Sequence, residues 1–316
     1  MVVANHKQAR VKCVYSIFTP LKLRLYMTIA KLAKLLRDHA LTRIRPDNSR
    51  YKALLLADEH AIAELTGTSL LSVECAALKE NIIPERYSRN QKSLSCRDQL
   101  KLLQAHVAII GVGGLGGAVA EILARTGIGA LTLVDGDRFE ESNLNRQIIS
   151  TPSLLGKSKA KCAAERVTLI NPAIFAHPVE DFLTSENGGA ILAPCRLAVD
   201  CLDTISARFT LEKSCKNLGI PLVSAAIGGG SGHAIVIYPG DPGLQMIYGK
   251  EEKHNRPGIE ATIGTLCYTA LFMAGVQCAA VTAILLDRKS PLRNTMLMTD
   301  VHDLSCDLIV FEDDSD

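Results

Sequence analysis

Glycines stand at the spacing of a phosphate-binding loop. Gly111, Gly113 and Gly116 fit the pattern G-x-G-x-x-G directly after the apolar run His106–Ile110. Glycine permits a tight turn and a close approach of the backbone to phosphate, and the free N–H groups at the start of the next helix can bind an anion. The loop predicts a nucleotide site, and by itself it suits a nicotinamide or flavin enzyme as well as any other nucleotide-binding protein.

Polar and cationic side chains follow the second predicted strand, Ala130–Val134. Asp135 ends that strand, where a carboxylate accepts hydrogen bonds from ribose hydroxyl groups. The residues beyond it include Asp137, Asn143, Asn145, Arg146, Gln147 and Lys159. Arginine and lysine beside a phosphate-binding loop can neutralise a triphosphate. A dehydrogenase does not explain this group, and the pattern therefore favours a nucleoside triphosphate.

A third strand, Leu197–Cys201, leads into the carboxylates Asp200 and Asp203. Mg²⁺ is a hard cation that prefers oxygen ligands and phosphate oxygens, so a carboxylate at the end of this strand is a candidate magnesium ligand. The ten cysteines include no Cys-X-X-Cys pair. We therefore expect no thiolate zinc site and a cytoplasmic, reducing location.

Strands alternate with helices beyond residue 100. Helices are predicted at 115–126, 157–170 and 208–218, and strands at 106–110, 130–134, 197–201, 221–226 and 233–238. Crossovers of this length predict an α/β fold: a doubly wound, mostly parallel Rossmann-like sheet flanked by helices, with an antiparallel C-terminal extension.

The chain divides into three parts by composition and periodicity. Residues 1–26 form a basic extension, which is either a disordered stretch or a segment that precedes the native start. Residues 27–84 form a helical N-terminal module. Residues 85–316 form the nucleotide-binding domain. Residues 1–89 carry fifteen Lys and Arg against eight Asp and Glu, whereas the remainder has an acidic excess. A basic module suggests an acidic partner, nucleic acid or a membrane surface, but a merely solvated surface is the favoured explanation.

The start of the chain permits two interpretations. Residues 1–37 hold eight basic residues and no acidic one, which suits either an organelle transit segment or an extended start upstream of Met27. Ile62–Gly67 and Ser69–Leu78 resemble a helix-turn-helix, but the second helix offers few base-reading side chains, so DNA or RNA binding is disfavoured. No run of about 18 apolar residues predicts a membrane span.

The combined motifs resemble the ubiquitin-activating superfamily. Within it the chain is most similar to bacterial adenylyltransferases that activate sulfur-carrier proteins for molybdopterin and thiamine synthesis. The resemblance covers residues from about 85 to the C-terminus. The motifs that carry it are Arg86–Arg89, Gly111–Gly116, Asp135–Asp137, Glu141–Gln147, Gly156–Lys159, Asn171–Pro172, and Asp200–Asp203 with Arg208.

The resemblance implies a role for each matching residue. Asp135 would bind ribose, Arg146 and Lys159 the triphosphate, and Asp203 Mg²⁺. Arg89 would reach into the nucleotide site of a second subunit, which implies a homodimer. The remaining ATP-binding residues would be Gly111, Gly113, Gly114, Gly116, Asp137, Asn143 and Gln147. The implied reaction joins the C-terminal glycine carboxylate of a ubiquitin-like sulfur-carrier protein with a Gly-Gly tail to AMP from ATP, with a sulfur donor acting afterwards.

The sequence departs from the family pattern at two places. The region of the family's zinc-binding cysteine pairs reads Asp241–Met246, and the position of its transfer cysteine holds Glu260. Cys267 lies among apolar residues and is expected to be a buried structural thiol, so adenylation without a thioester step is predicted. The polar segment Gly240–Gly258 suits either a closing loop over a peptide tail or a plain surface loop.

Two other enzymes remain as alternatives. One activates a carboxylate on modified tRNA, as a tRNA threonylcarbamoyladenosine dehydratase does, and a basic N-terminal module would suit RNA. The other is an NAD-dependent oxidoreductase. The glycine loop and Asp135 are compatible with such an enzyme, which would not require Arg146.

Overall fold

The structure is a computed structural model that describes residues 20–249 and 260–311. Residues 1–19 of the predicted basic extension lie outside the described residues, as do 250–258 of the predicted loop Gly240–Gly258. The described part contains two sheets, one of three strands and one of eight.

The eight-stranded sheet has the order β11-β10-β9-β8-β7-β4-β5-β6. Its first five strands along the chain pair in parallel, and its last three pair antiparallel. The strands are β4 (His106–Ile110), β5 (Ala130–Val134), β6 (Phe175–Val179), β7 (Leu197–Asp200), β8 (Leu222–Gly228), β9 (Ser231–Ile237), β10 (Thr295–Asp300) and β11 (Ser305–Val310). The predicted mostly parallel Rossmann-like sheet with an antiparallel C-terminal extension is confirmed.

Helices cover both faces of this sheet. They are α4 (Cys96–Leu103), α5 (Gly114–Thr126), α6 (Lys159–Ile170), α7 (Gly188–Leu192), α8 (Ile205–Leu218), α9 (Gln245–Tyr248), α10 (Glu260–Ile263) and α11 (Cys267–Leu285). Alternate residues of β4 point to opposite faces: Val107 and Ile109 pack with α5, α6 and α11, whereas Ala108 and Ile110 pack with α7 and α8. Each buried strand is apolar on both faces for this reason.

The helical module predicted over 27–84 also contains three short strands that the sequence analysis did not predict. Besides α1 (Pro20–His39), α2 (Leu56–Thr66) and α3 (Leu70–Lys79), it contains β1 (Leu41–Ile44), β2 (Arg50–Leu54) and β3 (Ile82–Pro84). The apolar residues of Tyr51–Leu65 fit a helical period, yet the run begins in β2 and ends in α2. Such a period does not distinguish one helix from a short strand that leads into a helix.

A turn closes the hairpin of β1 and β2. The side chain of Asp47 accepts a hydrogen bond from the Ser49 N–H group at 3.1 Å, and Asn48 has a φ of 63°. Aspartate and asparagine favour such a turn because they hydrogen-bond locally and tolerate the left-handed region. The segment Pro46–Ser49 therefore closes the hairpin.

The predicted helix-turn-helix is present. Helix α2 ends at Gly67, whose φ is 64°, and Ser69 caps α3 by accepting a hydrogen bond from the Ser72 N–H group. The two helices meet at 107°. Helix α1 begins at Pro20, so the proposed boundary between residues 26 and 27 falls inside a helix.

Helix α11 is long and apolar enough, by length and composition, to cross a membrane. Half of it is buried inside the protein, where Ala270, Met273 and Val281 pack in the main core with α5, β8 and β9. This burial is that of a core helix.

Candidate active site

A cavity of about 1040 Å³ opens at the carboxyl ends of β4, β5 and β7. Strand β4 is the first strand of this sheet along the chain, and β5 and β7 pair with it on opposite sides. The strand order therefore reverses at the carboxyl end of β4. Open α/β sheets bind ligands at such a crevice. The predicted residues that line it are Gly111, Gly113, Gly114, Asp135, Asp137, Asn143, Arg146, Gln147, Lys159 and Asp203.

The glycine loop is shaped by close backbone contacts. Gly111 has a φ of 86°, and a Cβ atom there would lie 2.7 Å from the Cys201 carbonyl oxygen. A Cβ atom on Gly116 would lie 1.8 Å from the Gly111 carbonyl oxygen. Gly116 does not line the cavity: it lets helix α5 pack against the loop, and its predicted role in binding is thus indirect.

Asp135 braces the loop from the end of β5. Its carboxylate accepts hydrogen bonds from the Val112 N–H group at 2.9 Å and from the Asp137 N–H group at 2.8 Å. Burial raises the pKa of Asp135, and these two N–H groups oppose that rise. Each carboxylate oxygen can accept a further hydrogen bond, so Asp135 retains acceptor capacity toward the cavity.

Lys159 is the most buried cation that the sequence assigned to the triphosphate. It is 7% exposed at the start of α6, and its Nζ lies 2.9 Å from the Asp137 carboxylate, whose side chain is 54% exposed. The Lys159 N–H group also donates to the Asp137 carbonyl oxygen at 3.0 Å. Burial of the ammonium next to a single exposed carboxylate fixes it at the cavity wall, where it can exchange that partner for an anionic ligand.

Arg146 lies over the glycine loop. Its Cγ atom would be 3.5 Å from a Cβ atom on Gly114, and its guanidinium donates to the Ser142 carbonyl and Asn145 side-chain oxygens, both at 2.9 Å. The segment is held by Asn143, whose side-chain oxygen accepts from the Glu140 N–H group at 3.0 Å. Asn143 therefore shapes the loop as well as lining the cavity.

Gln147 is a buried side chain with an unused acceptor. It is 5% exposed, and its Oε1 atom has no hydrogen-bond partner within the described residues. Its amide group is the nearest group to the position that a Cβ atom on Gly113 would occupy. Buried polar atoms are normally paired, so an unpaired acceptor on the cavity wall suits a bound ligand or water.

The two strand-end carboxylates of β7 differ in their surroundings. Asp200 is fully buried and accepts hydrogen bonds from Arg208 at 2.8 Å and Ser224 at 2.6 Å, and Arg208 also donates to the Leu202 and Ala225 carbonyl oxygens. Asp203 is exposed on the cavity wall and makes no hydrogen bond or ion pair within the part of the chain that the structure describes. Asp200 thus fixes the strand ends, and Asp203 is available to a cation.

Arg89 does not line the cavity of its own chain. It lies exposed in the turn that follows the 3₁₀ segment Glu85–Tyr87, whereas its neighbours Arg86 and Tyr87 point inward. Arg86 donates to the Asn171 side-chain oxygen at 2.6 Å, and Tyr87 is fully buried. The prediction that Arg89 acts in a second subunit stays a prediction.

Several wall residues were missed by the sequence analysis. They are Arg138, Glu140, Ser142, Asp181, Phe182, Leu183, Thr204, Ala226, Ile227 and Thr265. Phe182 packs so close to Gly136 that a Cβ atom there would lie 2.6 Å from its ring. The signal for Asp181 and Phe182 was their place after β6, the neighbour of β5, but strand β6 is only partly buried and its apolar pattern is weak.

The cysteine on the cavity wall, Cys201, is not an activated thiol. Burial raises the pKa of Cys201 well above its ordinary value, and Gln277 accepts a hydrogen bond from its thiol. Cys267, expected to be buried, is partly exposed at the first turn of α11 and does not line the cavity. Within the described residues, no three His, Cys, Asp or Glu side chains are grouped to hold a metal ion.

A glycine loop at the switch point of a Rossmann-like sheet, with Arg146 and Lys159 on its wall, defines an enzyme of the ubiquitin-activating superfamily, whose members are adenylyltransferases. The chain belongs to the ThiF family, whose model matches residues 87–311. The matched range includes Arg89 and every other predicted site residue, and it leaves the N-terminal module outside.

The chain is also similar in sequence to enzymes from other organisms. A SAMP-activating enzyme E1 of Haloferax volcanii is 30% identical over 234 residues, which are 73% of this chain and 87% of that protein. A tRNA threonylcarbamoyladenosine dehydratase of Haemophilus influenzae is 38% identical over 133 residues, or 42% of this chain and 50% of that protein.

A solved structure shares the fold over almost the whole chain. The structure of E. coli MccB with MccA-N7isoASN has a TM-score of 0.62 and 21% identity, and it covers 93% of this chain and 89% of that protein. A match of this extent includes most of the N-terminal module.

Proposed function

We propose that this enzyme activates the C-terminal glycine carboxylate of a small ubiquitin-like sulfur-carrier protein as an acyl adenylate, with release of pyrophosphate from ATP. The observation that carries the proposal is that Arg146 and Lys159 line the same cavity as the glycine loop, because an oxidoreductase has no triphosphate for them to neutralise. Family membership supports the adenylation step, and the relative named for SAMP activation supports a protein substrate.

In the reaction, a carboxylate oxygen forms a bond to the α-phosphorus while the bond from that phosphorus to the bridging oxygen of pyrophosphate breaks. The carboxylate is ionised at neutral pH, so no general base is required. Positioning and charge neutralisation therefore supply the catalysis. Gly113 and Gly114 place backbone N–H groups at the phosphates, and Arg146 and Lys159 offset the charge that develops on the leaving pyrophosphate.

The donor set fits Mg²⁺ held mainly by substrate oxygens. Mg²⁺ commonly binds through one or two carboxylates together with phosphate groups and waters, and Asp203 is an exposed, unpaired carboxylate on the cavity wall. Asp203 would hold the ion. When bound, it would add positive charge next to the phosphates.

Arg89 is proposed to complete the site from a second copy of the chain. It is exposed, carries no ion pair within the described residues, and lies outside its own cavity. An arginine supplied across a two-fold axis would make the homodimer the active unit. We further propose that a sulfur donor acts on the adenylate afterwards, and that the enzyme works in the cytoplasm.

A second candidate is the activation of a carboxylate on modified tRNA. The similarity to the Haemophilus influenzae dehydratase favours it, although that similarity spans half of that protein. The chemistry at the α-phosphorus is the same for both candidates, and the group that presents the carboxylate differs.

The two candidates separate in an ATP–pyrophosphate exchange assay. The proposal expects exchange of labelled pyrophosphate into ATP when a ubiquitin-like protein ending in Gly-Gly is added, and none with tRNA. The same protein lacking its last two glycines is the control. Exchange that depends on tRNA alone would replace the proposal with the second candidate.

A further inference from the structure

We propose that the N-terminal module is a positioning element of the adenylation site: it fixes the segment 88–95, which carries Arg89, through a buried cluster around Arg86 and an ion pair at the β1–β2 turn. This inference rests on the proposed role of Arg89 in a second subunit. It assigns a function to residues that the family model does not cover.

The buried cluster joins three parts of the chain at Arg86. The guanidinium lies 3.2 Å from Glu74 of α3 and 3.6 Å from Glu59 of α2, and it donates to Asn171, just after α6, at 2.6 Å. Glu59 and Glu74 are 1% and 0% exposed. An arginine with two buried glutamate side chains and an amide around it has one well-defined position, so the module determines where residue 86 lies.

Tyr87 extends this cluster into the nucleotide-binding domain. Its hydroxyl group donates to Glu74 at 3.0 Å and accepts from the Asn171 side chain at 2.8 Å, and Asn171 also donates to the Ala124 carbonyl oxygen of α5. Helix α5 is the helix that begins in the glycine loop. Buried hydrogen bonds therefore connect the module to the last turn of the helix whose first turn lies in the glycine loop.

The hairpin of the module holds the other end of the segment. Lys92 forms an ion pair with Asp47 of the β1–β2 turn at 2.6 Å, and Tyr51 of β2 donates to Glu85 at 3.1 Å. Lys92 has a φ of 91°, a backbone conformation that a non-glycine residue keeps only when its surroundings impose it. Arg89 lies between Arg86 and Lys92, and both of these residues contact the module.

This arrangement predicts an asymmetry in mixed dimers. A supplying chain carries Arg146→Ala and an intact Arg89, and a receiving chain carries Arg89→Ala and an intact nucleotide site. Two tags allow the mixed dimer to be purified, and its single complete site gives about half of the wild-type exchange per dimer. Arg86→Lys is then introduced into one chain or the other. It keeps the charge near Glu59 and Glu74 and removes the planar guanidinium.

We expect Arg86→Lys to lower carrier-dependent exchange about tenfold in the supplying chain, mainly in kcat, and less than twofold in the receiving chain. Equal losses in both positions, or no loss in either, would overturn the inference. An unmodified mixed dimer without activity would instead overturn the proposed trans role of Arg89, and the inference with it. The two failures are thus distinguishable.

A second pair of variants avoids the buried cluster. Asp47→Lys in the supplying chain removes an exposed ion pair and should lower exchange by up to about fivefold, the limit expected for such a pair. Adding Lys92→Asp restores the pair with reversed charges and should restore the activity. Failure of the reversed pair to restore activity would show that the turn does not act through Lys92.

Discussion

Single residues at the cavity differ in whether they are already paired. Lys159 has Asp137, and Asp200 has Arg208, whereas Asp203 has no partner within the described residues. Paired groups keep the site in shape, and an exposed, unpaired carboxylate next to phosphate-binding groups is free to interact with a cation. Effects of substitution should follow this difference.

Asp203→Ala should abolish carrier-dependent exchange while the protein stays folded, because the side chain is exposed and supports no other residue. Circular dichroism and the exchange assay measure the two parts of this expectation. Asp303→Ala, at another exposed aspartate far along the chain, is the matched control and should exchange like the wild type. Retained exchange in Asp203→Ala would contradict the magnesium assignment.

Gly111→Ala should lower the free energy of unfolding by about 1–3 kcal/mol, the cost of a strained backbone position. The φ of 86° and the 2.7 Å approach to the Cys201 carbonyl oxygen both oppose a Cβ atom. Chemical denaturation gives the free energy of unfolding. Gly189→Ala, where a Cβ atom meets open space, is the control, and a similar effect at both sites would contradict this account of the loop.

At the scale of elements, the ends of β7 and β8 are held together by one buried ion pair. Arg208→Met should lower the free energy of unfolding by about 3–5 kcal/mol, because it leaves Asp200 as a buried charge without its cation. Thermal unfolding measures the loss, with the exposed Lys213→Met of the same helix as control. A loss below about 1 kcal/mol would mean that Asp200 finds another partner.

The cluster between the module and the domain predicts a pH dependence. Burial, with Glu74 nearby, raises the pKa of Glu59 from 4.5 to about 8. The folded chain therefore keeps a proton that the unfolded chain releases, and the stability from this proton is complete below about pH 4.5 and lost as the pH rises toward 8. Glu59→Gln should flatten the stability profile between pH 5 and 8.

Denaturant unfolding at several pH values measures this profile. Glu64→Gln, an exposed site on the same helix, should keep the wild-type slope. A slope that is unchanged in Glu59→Gln would show that Glu59 does not hold the proton. Glu74, whose pKa burial also raises, would then be the next residue to test.

The elements of the large sheet were predictable because each strand is a short apolar run between turn residues, as in Ala130–Val134. The module was not, since Tyr51–Leu65 satisfies a helical period across a strand and a helix. Arg146 and Lys159 were found from residue type near a glycine loop. Phe182 was missed because strand β6 carries a weak apolar pattern, and the burial of Glu59 and Glu74 was not predicted because their partner Arg86 is distant in sequence.

At the scale of the whole molecule, the chain combines a ThiF-family adenylation domain with a basic module that the family model does not cover. The cavity lies within one chain, and Arg89 lies outside the cavity of its own chain. The module lies next to Arg89. These positions fit an active unit of two chains, in which each module acts on the site of the other subunit.

The most direct test of the central claim is ATP–pyrophosphate exchange with a Gly-Gly carrier protein whose terminal carboxylate is either free or amidated. The account predicts exchange only with the free carboxylate, and a loss of about a hundredfold or more with Arg146→Ala. Exchange that persists with the amidated tail, or release of ADP and phosphate in place of pyrophosphate, would contradict it.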